Sequence, residues 1–366
     1  MKRLLCVVGK MDAGGAETFL MKIYRNIDRN KFQMDFCVSD SEVGVYETEI
    51  LSLGGKIFHT IPKTKSPIKS FFSLKKIVEV NNYKYVMRIS QHSLSALELL
   101  AAKLGGAEKL IFRSSNTNTC GGRINQILHR LALPLTIFVP NIKMAPSSEA
   151  AKFMFGKSIK SAFIFPNALD TEKFLFSKIN RDNLRKKMNL ENKLIIGHIG
   201  RFSNQKNHKF VIECFKEIKK IRKDAVLLLI GDGELRNNIE TLIKNYSLSE
   251  DVLLLGIRKD IPELLSIMDG FLFPSFYEGM PNTVIEAQTS GLPCLISDTI
   301  TREAKIIDTL IEFKNLEKGS FKWAESMLDL IEKNKIFERK TAIEIMKKKG
   351  YEISEVAKTF EKIIFE

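Results

Sequence analysis

The fold is decided by a stretch in the middle of the chain, Lys193–Lys206, which reads KLIIGHIGRFSNQK. A short apolar run ends at a glycine, and a polar loop that carries cations follows it. Apolar residues then recur at helical spacing, at Val211, Ile212, Phe215 and Ile218. A strand, a glycine-containing loop and an amphipathic helix in this order predict the start of a Rossmann-like unit.

The same unit is found at the beginning of the chain. The apolar run Arg3–Val8 is followed by the turn Gly14–Glu17, and a helical period then runs through Phe19 and Ile23. A chain of 366 residues is also longer than one hydrophobic core usually supports. We therefore predict two doubly wound α/β domains, each built on a parallel sheet.

Short apolar segments separated by helical patterns follow each start, as is typical of parallel strands that are buried on both faces. The predicted strands are 33–38, 56–59, 85–89, 110–113 and 143–146 in the first half, and 225–230, 251–255, 270–273 and 293–297 in the second. The pattern breaks at Phe165–Asp170, which predicts an N-terminal domain over 1–168 and a C-terminal domain over 169–348. The amphipathic segment Val356–Ile364 predicts a terminal helix within residues 349–366.

Charge and cysteine content restrict the kind of protein. The net charge of +14 favours an anionic partner, and it also fits a lysine-rich solvated surface. No aromatic and basic pattern of an RNA-binding sheet or a zinc finger is present, so nucleic acid is not expected as a partner. The cysteines form no Cys-x-x-Cys pair, which indicates free thiols in a reducing cytoplasm. They are Cys6, Cys37, Cys120, Cys214 and Cys294.

No segment has the pattern of a signal peptide or a membrane span. The apolar run after Arg3 is too short for the hydrophobic core of a secretory signal. Leu131–Val139 is apolar as well, but Pro134 interrupts it and it falls far below the ~20 residues that a spanning helix needs. We therefore expect a cytoplasmic protein.

Both glycine loops lie between a strand and a helix N-terminus, where backbone N–H groups and the helix dipole favour a phosphate. Gly14 and Gly15 suit that role, and they suit equally a tight turn that needs glycine for backbone reasons. The second loop is more informative, because Arg201 and Lys206 bring a guanidinium and an ammonium to the same helix entrance. We predict that they neutralise a diphosphate without a metal, since the sequence offers no recognisable metal-ligand pattern.

The strongest local signal is the segment Phe273–Ala287, FPSFYEGMPNTVIEA, in which a short loop carries Glu278 and a helix carries Glu286. Carboxylates at such a place suit hydrogen bonds from sugar hydroxyls. Glu286 has a second explanation, because Thr283 and Glu286 have the spacing of a capping box. A helix would separate the two glutamates by ~12 Å, wider than a glycosidase acid and base require, so donor recognition explains them better than hydrolysis.

Together these motifs resemble those of the retaining glycosyltransferases of family 4, and most closely the bacterial members that build capsular, exopolysaccharide and lipopolysaccharide chains. The resemblance extends over nearly the whole chain, from the turn at Gly14 to the terminal helix. Its motifs are Glu278-x(7)-Glu286, Gly200-Arg201 with Lys206, Gly231-Asp232-Gly233, and Asn167–Asp170 at the hinge.

The resemblance implies a GT-B architecture, in which two Rossmann-like domains face a cleft and the last helix crosses back to the N-terminal domain. It implies sugar transfer from a nucleotide diphosphate donor with retention, without a metal or another cofactor, and UDP is our first expectation for the nucleotide. The implied catalytic residues are Arg201 and Lys206 on the diphosphate and Glu278 on the sugar hydroxyls. The other implied donor contacts are Gly14 and Gly15 at the phosphates, Ile257 and Arg258 at the base, Gly279 and Met280 at the sugar, and Glu286 at the ribose.

The N-terminal half departs from the family pattern. Relatives often carry histidines after the fourth and fifth strands, where this chain has Met87-Arg88-Ile89 and Arg113–Asn116. His92 follows shortly after and is our candidate on the acceptor side, while a single histidine is more often structural. Two other functions stay open, a nucleotide-sugar-binding protein without transfer activity and a sugar epimerase of the same two-domain plan.

The segment Lys63–Val78 predicts a basic amphipathic helix that begins near Pro67. Its apolar stripe either lies in an anionic headgroup layer or packs on the N-terminal sheet. The stripe comprises Ile68, Phe71, Phe72 and Val78. With the net charge and the resemblance, we expect a polysaccharide or lipid-linked acceptor and an anionic membrane surface as a partner, on the inner face of the cell membrane.

Overall fold

A computed structural model describes residues 1–12, 14–119 and 122–366, except for the side chain of Lys157. The chain divides into two compact units, the first made of Met1–Leu169 with Glu352–Glu366 and the second of Asp170–Tyr351. The cysteines within the described residues are free and buried, whereas the prediction for Cys120 lies outside them.

The first unit is built on a parallel sheet. Its strands are β1 (Lys2–Val8), β2 (Phe32–Val38), β3 (Ile57–His59), β4 (Tyr85–Ser90), β5 (Lys109–Ser114), β6 (Ile142–Ala145) and β7 (Ala162–Ile164). Its helices before residue 169 are α1 (Gly15–Asn26), α2 (Glu47–Ser52), α3 (Pro67–Val80), α4 (Ala96–Leu104), α5 (Arg123–Phe138) and α6 (Ser148–Phe155). Over the described residues the sheet has seven strands, in the order β3-β2-β1-β4-β5-β6-β7.

Helices cover both faces of this sheet. Alternate residues of β1 point to opposite faces, so Leu4 and Cys6 belong to one hydrophobic core and Leu5 and Val7 to another. Helix α1 packs in the first core, whereas buried residues of α3, α4 and α6 lie in the second. Burial on both faces explains why the strands are near-continuous apolar runs.

The second unit is built in the same way. Its strands are β8 (Leu194–Ile199), β9 (Ala225–Ile230), β10 (Val252–Gly256), β11 (Gly270–Phe273), β12 (Cys294–Ser297) and β13 (Ile311–Lys314). Its helices are α7 (Lys178–Lys187), α8 (His208–Ile221), α9 (Arg236–Asn245), α10 (Ile261–Ile267), α11 (Asn282–Thr289), α12 (Gly319–Lys333) and α13 (Ala342–Lys348). The strands form a six-stranded parallel sheet in the order β10-β9-β8-β11-β12-β13.

Both sheets therefore begin with the 3-2-1-4-5-6 strand order of a Rossmann fold. The strand order reverses between β1 and β4 in the first unit and between β8 and β11 in the second. In open parallel sheets, ligands bind outside the carboxyl ends of the strands at this reversal. The predicted α/β class with two Rossmann-like domains is confirmed. Ligands are expected at the loops that follow these four strands.

The terminal helix α14 (Ile353–Phe365) packs on the first unit. Phe360 is fully buried in the core that contains α1, and the ring of Phe365 stacks on Phe32 with centroids 4.4 Å apart. The backbone N–H of Ile353 donates to the carbonyl oxygen of Leu169 at 3.0 Å, so the chain pairs with itself where it re-enters this unit.

Several local details differ from the sequence predictions. Strands β7 and β13 were not predicted, because Ala162–Ile164 and Ile311–Lys314 are short and lie at sheet edges. Pro134 does not interrupt the apolar run after Leu131, since it lies inside α5. In the part of the chain that the structure describes, we find no helix of sufficient length and apolar character to span a membrane.

The predicted stripe of α3 is divided between two environments. Val78 is fully buried in the core and Phe71 packs against that core. Ile68 and Phe72 are 71% and 60% exposed. Packing on the sheet was one of the two interpretations of this stripe, and α3 does pack on the sheet. The helix still presents two apolar side chains to solvent.

Candidate active site

An ion pair joins the loops that follow β8 and β11. The ammonium Nζ of Lys206 lies 2.7 Å from Oε1 of Glu278, and both side chains are largely buried, at 17% and 10% exposure. The same ammonium lies 4.6 Å from the centroid of the Phe273 ring, which adds a cation–π contact. The structure thus brings two predicted catalytic residues into direct contact at the strand reversal of the second sheet.

Hydrogen bonds hold these two loops together. The backbone N–H of Phe276 donates to the carbonyl oxygen of Gln205 at 2.9 Å, and Nε2 of Gln205 donates to the carbonyl oxygen of Tyr277 at 2.8 Å. Nδ2 of Asn207 donates to the carbonyl oxygen of Pro274 at 3.2 Å. Because these bonds involve both loops, the position of Lys206 relative to Glu278 is fixed by backbone as well as by charge.

Two glycines allow close packing beneath the ion pair. A Cβ atom on Gly200 would lie 3.1 Å from methylene carbons of Lys206, so the lysine stem lies against the bare backbone. Gly231, which follows β9, has a φ of +134° and leaves only 2.1 Å between a Cβ and the carbonyl oxygen of Gly200. A side chain at Gly231 would displace the loop that carries Lys206, whereas one at Gly200 would press against the Lys206 stem.

Arg201 has a different environment from Lys206. Its side chain is 75% exposed, and its Nε lies 3.4 Å from a carboxylate oxygen of Glu234, in the loop after β9. An exposed ion pair of this length contributes little to stability. The guanidinium therefore stays at the surface of the site, where an anionic ligand can reach it.

The predicted base-binding residues follow β10. Ile257 is 80% exposed, and Arg258 makes a bidentate ion pair with Asp260, with Nε donating at 2.7 Å. The guanidinium lowers the pKa of the Asp260 carboxyl. Asp260 stands at the N-terminus of α10, but its side chain makes no capping hydrogen bond, since Arg258 occupies it.

The capping-box explanation of Glu286 is wrong. Helix α11 starts at Asn282 with Pro281 at the cap position, so Thr283 is the second residue of the helix and not its cap. Glu286 consequently lies one turn further into α11, half-buried. Gly279 and Met280 are buried in the loop between Glu278 and this helix.

The first unit places its predicted residues at the equivalent edge. Gly14 stands at the cap position of α1 and Gly15 is its first residue, and α1 is the first helix after β1. Burial raises the pKa of the Glu17 carboxyl in the first turn of this helix. The role of Gly14 and Gly15 toward a phosphate stays a prediction.

His92 follows β4 and is engaged by the backbone. Its Nδ1 accepts a hydrogen bond from the N–H of Leu94 at 3.2 Å, which leaves Nε2 as the protonated nitrogen that donates to the carbonyl oxygen of Asn125 at 3.0 Å. Both ring nitrogens are thus used within the unit. These contacts favour the structural interpretation of His92 over a role as the acceptor's base.

Two arginines lie in the segments where the N-terminal half departs from the family pattern, Met87–Ile89 and Arg113–Asn116. Arg88 ion-pairs with Glu98 and donates from its Nη1 to the carbonyl oxygen of Val7 at 2.8 Å. Arg113 is buried, donates to Oδ1 of Asn167 at 2.6 Å and lies 3.7 Å from the centroid of an aromatic ring. Burial lowers the pKa of Arg113 to about 9. Their residue type was visible in the sequence, but their burial and partners were not.

A buried histidine pair beneath Gly200 was also missed. His198 lies on β8, and its Nδ1 donates to the carbonyl oxygen of Leu272 at 2.8 Å, so its Nε2 carries no proton in the neutral ring. The ring of His208, the first residue of α8, lies edge-on at 4.7 Å from that of His198. Burial, and then the Lys206 ammonium, lower the pKa of His208 to about 4. The signal in the sequence was the position of His208, two residues after Lys206. Helical periodicity by itself predicts only that a helix starts there.

The positive charge near the site therefore comes from Lys206 and Arg201 and not from imidazolium groups. Among the residues that the structure describes, no three His, Cys, Asp or Glu side chains are grouped so that they could hold a metal ion. The chemistry that the arrangement offers is the binding of an anion at the start of α8, with carboxylate acceptors beside it.

Comparison with known proteins identifies the class of this chain. Residues 180–335 match the family model described as glycosyl transferases group 1. The putative glycosyltransferase EpsF of Bacillus subtilis (strain 168) is 32% identical over 337 residues, which cover 89% of this chain and 87% of that protein. The UDP-Gal:alpha-D-GlcNAc-diphosphoundecaprenol alpha-1,3-galactosyltransferase of Escherichia coli is 31% identical over 242 residues, covering 63% of this chain and 62% of that protein.

The solved structure of HepE from Anabaena in complex with UDP-glucose matches with a TM-score of 0.81 and 16% sequence identity, over 99% of both chains. An identity this low shows the fold alone, which is that of a GT-B protein with two Rossmann-like domains. The fold and the family match define a glycosyltransferase. The extent of the similarity to EpsF specifies the family, and the chain belongs to the group 1 glycosyltransferases.

The histidine pair predicts acid sensitivity. Because the pKa of His208 in the folded protein is about 4 and its ordinary value is 6.5, unfolding takes up a proton between these values. This contribution to stability is complete above pH 6.5 and decreases as the pH falls toward 4. We expect His208→Phe to lose less stability than the wild type between pH 7 and pH 5, by on the order of 2 kcal/mol in urea unfolding. His59→Phe, at a half-exposed histidine, is the control, and equal losses in the wild type and His208→Phe would contradict the assignment.

Proposed function

We propose that the chain is a retaining, metal-independent hexosyltransferase that moves a sugar from a nucleotide diphosphate donor to a polysaccharide or lipid-linked oligosaccharide acceptor. The observation that carries the proposal is the Lys206–Glu278 pair at the strand reversal of the second sheet, 2.7 Å between the charged atoms. It sets a cation for phosphate beside a carboxylate for sugar hydroxyls, where a parallel sheet binds its ligands.

The diphosphate is assigned to the start of α8. Lys206 supplies an ammonium that is held in place by Glu278 and Phe273, and Arg201 supplies an exposed guanidinium at the surface. The dipole of α8 adds a favourable potential at the same point. A preorganised cation is worth most in a partly desolvated position, which Lys206 has and Arg201 does not.

The remaining donor contacts follow from the loops at the same sheet edge. Glu278 accepts hydrogen bonds from sugar hydroxyls, together with the backbone at Gly279 and Met280, and Glu286 on α11 accepts from the ribose. Ile257 and Arg258 meet the base through their backbone, since the Arg258 side chain is paired with Asp260. Gly14, Gly15 and His92 stay as predictions for the first unit.

In the transfer we propose, the bond between the anomeric carbon and the diphosphate oxygen breaks. The acceptor oxygen forms its new bond on the same face of the sugar, and its proton passes to an oxygen of the departing diphosphate. Negative charge therefore grows on the diphosphate in the transition state, where Lys206 and Arg201 stabilise it. This sequence needs no histidine base, which agrees with the backbone hydrogen bonds of His92.

The nucleotide and the acceptor are proposed from the relatives. The name of the Escherichia coli relative specifies a UDP-galactose donor and a diphosphoundecaprenol-linked acceptor, and HepE was solved with UDP-glucose. We propose a UDP-sugar donor and a lipid-linked acceptor for this chain. Such an acceptor places the enzyme peripherally at the anionic inner face of the cell membrane.

A ligand screen tests the donor assignment. A bound ligand at a hundred times its dissociation constant adds ~2.7 kcal/mol to stability, which a thermal-shift assay detects. We expect UDP-sugars to raise the melting temperature more than GDP- or ADP-sugars do, and lipid-linked acceptor to be glycosylated only in their presence. A donor-dependent shift without any transfer to acceptors would instead indicate a binding protein.

Substitution of Lys206 is expected to lower kcat by at least ~10²-fold, the effect of removing one preorganised charge-stabilising group, and substitution of the exposed Arg201 by a smaller factor. The variants are Lys206→Ala and Arg201→Ala, and Lys209→Ala is the control because its side chain is 75% exposed on α8. Since Arg201 is equally exposed, its variant should melt like the wild type, so a loss of turnover there reports on chemistry. Wild-type kcat in both variants would show that the phosphate assignment is wrong.

Glu286→Gln is expected to weaken donor binding by about tenfold or more, because a hydrogen bond to a charged acceptor is lost. Its melting temperature should stay close to that of the wild type, since Glu286 does not cap α11. Titration calorimetry with the donor and thermal unfolding measure the two effects. Glu263→Gln, at an exposed glutamate of α10, serves as the control. Unchanged donor affinity with a lowered melting temperature would contradict the ribose assignment.

Transfer is expected to continue in excess EDTA, because Lys206, Arg201 and the α8 N-terminus supply the positive charge that a divalent ion supplies in metal-dependent enzymes. Initial rates are compared with EDTA, with added Mg²⁺ and with added Mn²⁺. Activity that disappears on chelation and returns with a divalent ion would overturn metal independence while leaving the donor assignment intact.

A further inference from the structure

The outer surface of α5 carries an apolar stripe that no core residue covers. The stripe, called the α5 stripe below, is made of side chains exposed to at least half of their area. They are Ile124 at 74%, Ile127 at 56%, Leu131 at 74% and Phe138 at 82%. Soluble proteins rarely expose a contiguous set of large apolar side chains, and such sets mark interaction surfaces.

The stripe is separate from the face by which α5 packs on its own unit. The buried residues of the helix are His129, Ala132 and Thr136, and Oγ1 of Thr136 donates to the carbonyl oxygen of Met154 at 2.7 Å. At 100° per residue, these three lie on the side of the helix turned away from the α5 stripe. The hydrophobicity of the stripe therefore does not stabilise the fold.

The charged side chains of α5 itself are both arginines. Arg123 and Arg130 are exposed on the same helix, seven residues apart, and therefore lie on one side of it. Between Glu108 and Glu149 the sequence contains no Asp or Glu. Apolar side chains beside arginines, on a helix without a carboxylate, form the pattern of a helix that lies in an anionic headgroup layer.

A second helix of the first unit has a similar surface. Helix α3 packs against α4 in the same helical layer, and it exposes Ile68 and Phe72 together with Lys69 and Lys76. The lysines of α3 give an electrostatic attraction, whereas the four large side chains of the α5 stripe offer insertion into the acyl boundary. Helix α3 thus supplies electrostatic attraction to a bilayer, and α5 supplies apolar insertion into it.

We propose that the α5 stripe is the surface by which the first unit docks on an anionic lipid bilayer. The inference deepens the proposed peripheral position at the membrane and rests on it. Charge complementarity selects this occupant: a second copy would oppose arginine to arginine, whereas anionic headgroups neutralise Arg123 and Arg130 while the stripe enters the apolar layer.

Cosedimentation with vesicles of phosphatidylcholine alone, or with added phosphatidylglycerol, tests the proposal on the full chain. Replacement of Ile124, Ile127 and Leu131 by Ser is expected to lower partitioning to the anionic vesicles at least about tenfold, at low and at high salt, because apolar insertion is lost. Replacement of Arg123 and Arg130 by Gln is expected to lower it about fivefold per residue at low salt only, because salt screens the charges.

The control removes exposed isoleucines from the second unit, Ile179→Ser with Ile336→Ser, at 73% and 94% exposure, and should bind vesicles like the wild type. Wild-type partitioning of the α5 variants, with loss in a variant of the α3 lysines, would overturn the proposal in favour of α3. A wild-type dimer in light scattering that the α5 variants abolish, without vesicle binding, would assign the stripe to a second copy. Donor-induced thermal shifts are expected in every variant, so their absence would point to the proposed function and not to the docking surface.

Discussion

The second unit is organised around the ion pair of Lys206 and Glu278. The two residues are far apart in sequence and reach each other only because β8 and β11 are neighbours in a parallel sheet. A largely buried ammonium is tolerated only when an opposite charge and hydrogen-bond acceptors offset its desolvation. The pair therefore determines how the two loops meet, and the hydrogen bonds from Gln205 and Asn207 maintain that arrangement.

Packing beneath this pair determines where positive charge is available. Gly200 and Gly231 let three loops approach at backbone distance, and the imidazoles of His198 and His208 fill the space below them. Burial disfavours a proton on either ring, so the histidines act as neutral packing groups at ordinary pH. The positive charge therefore comes from Lys206 and Arg201 in the loop after β8, where a diphosphate binds in the function we propose.

The two units share a strand order and differ in the chemistry of their sheet edges. In the first unit, Arg88, His92 and Arg113 are each tied to groups of the same unit. A guanidinium or imidazole engaged in this way orders the loops around it and is poorly placed to exchange protons with a substrate. The distinctive property of this unit lies instead on its helical layer, whose apolar and basic surface faces solvent along α5.

The sequence by itself determined the two parallel-sheet units and the loops that carry Lys206 and Glu278, because strand and helix periodicities are local and the carboxyl ends of parallel strands share one edge. It also placed Glu286 in a helix, but it left open whether that glutamate caps the helix. Only the tertiary structure decided that Pro281 stands at the cap, that Lys206 and Glu278 touch, and which apolar residues of α3 and α5 stay exposed. These outcomes depend on contacts between distant segments, whose geometry is set by how helices and loops pack and not by any pattern within one segment.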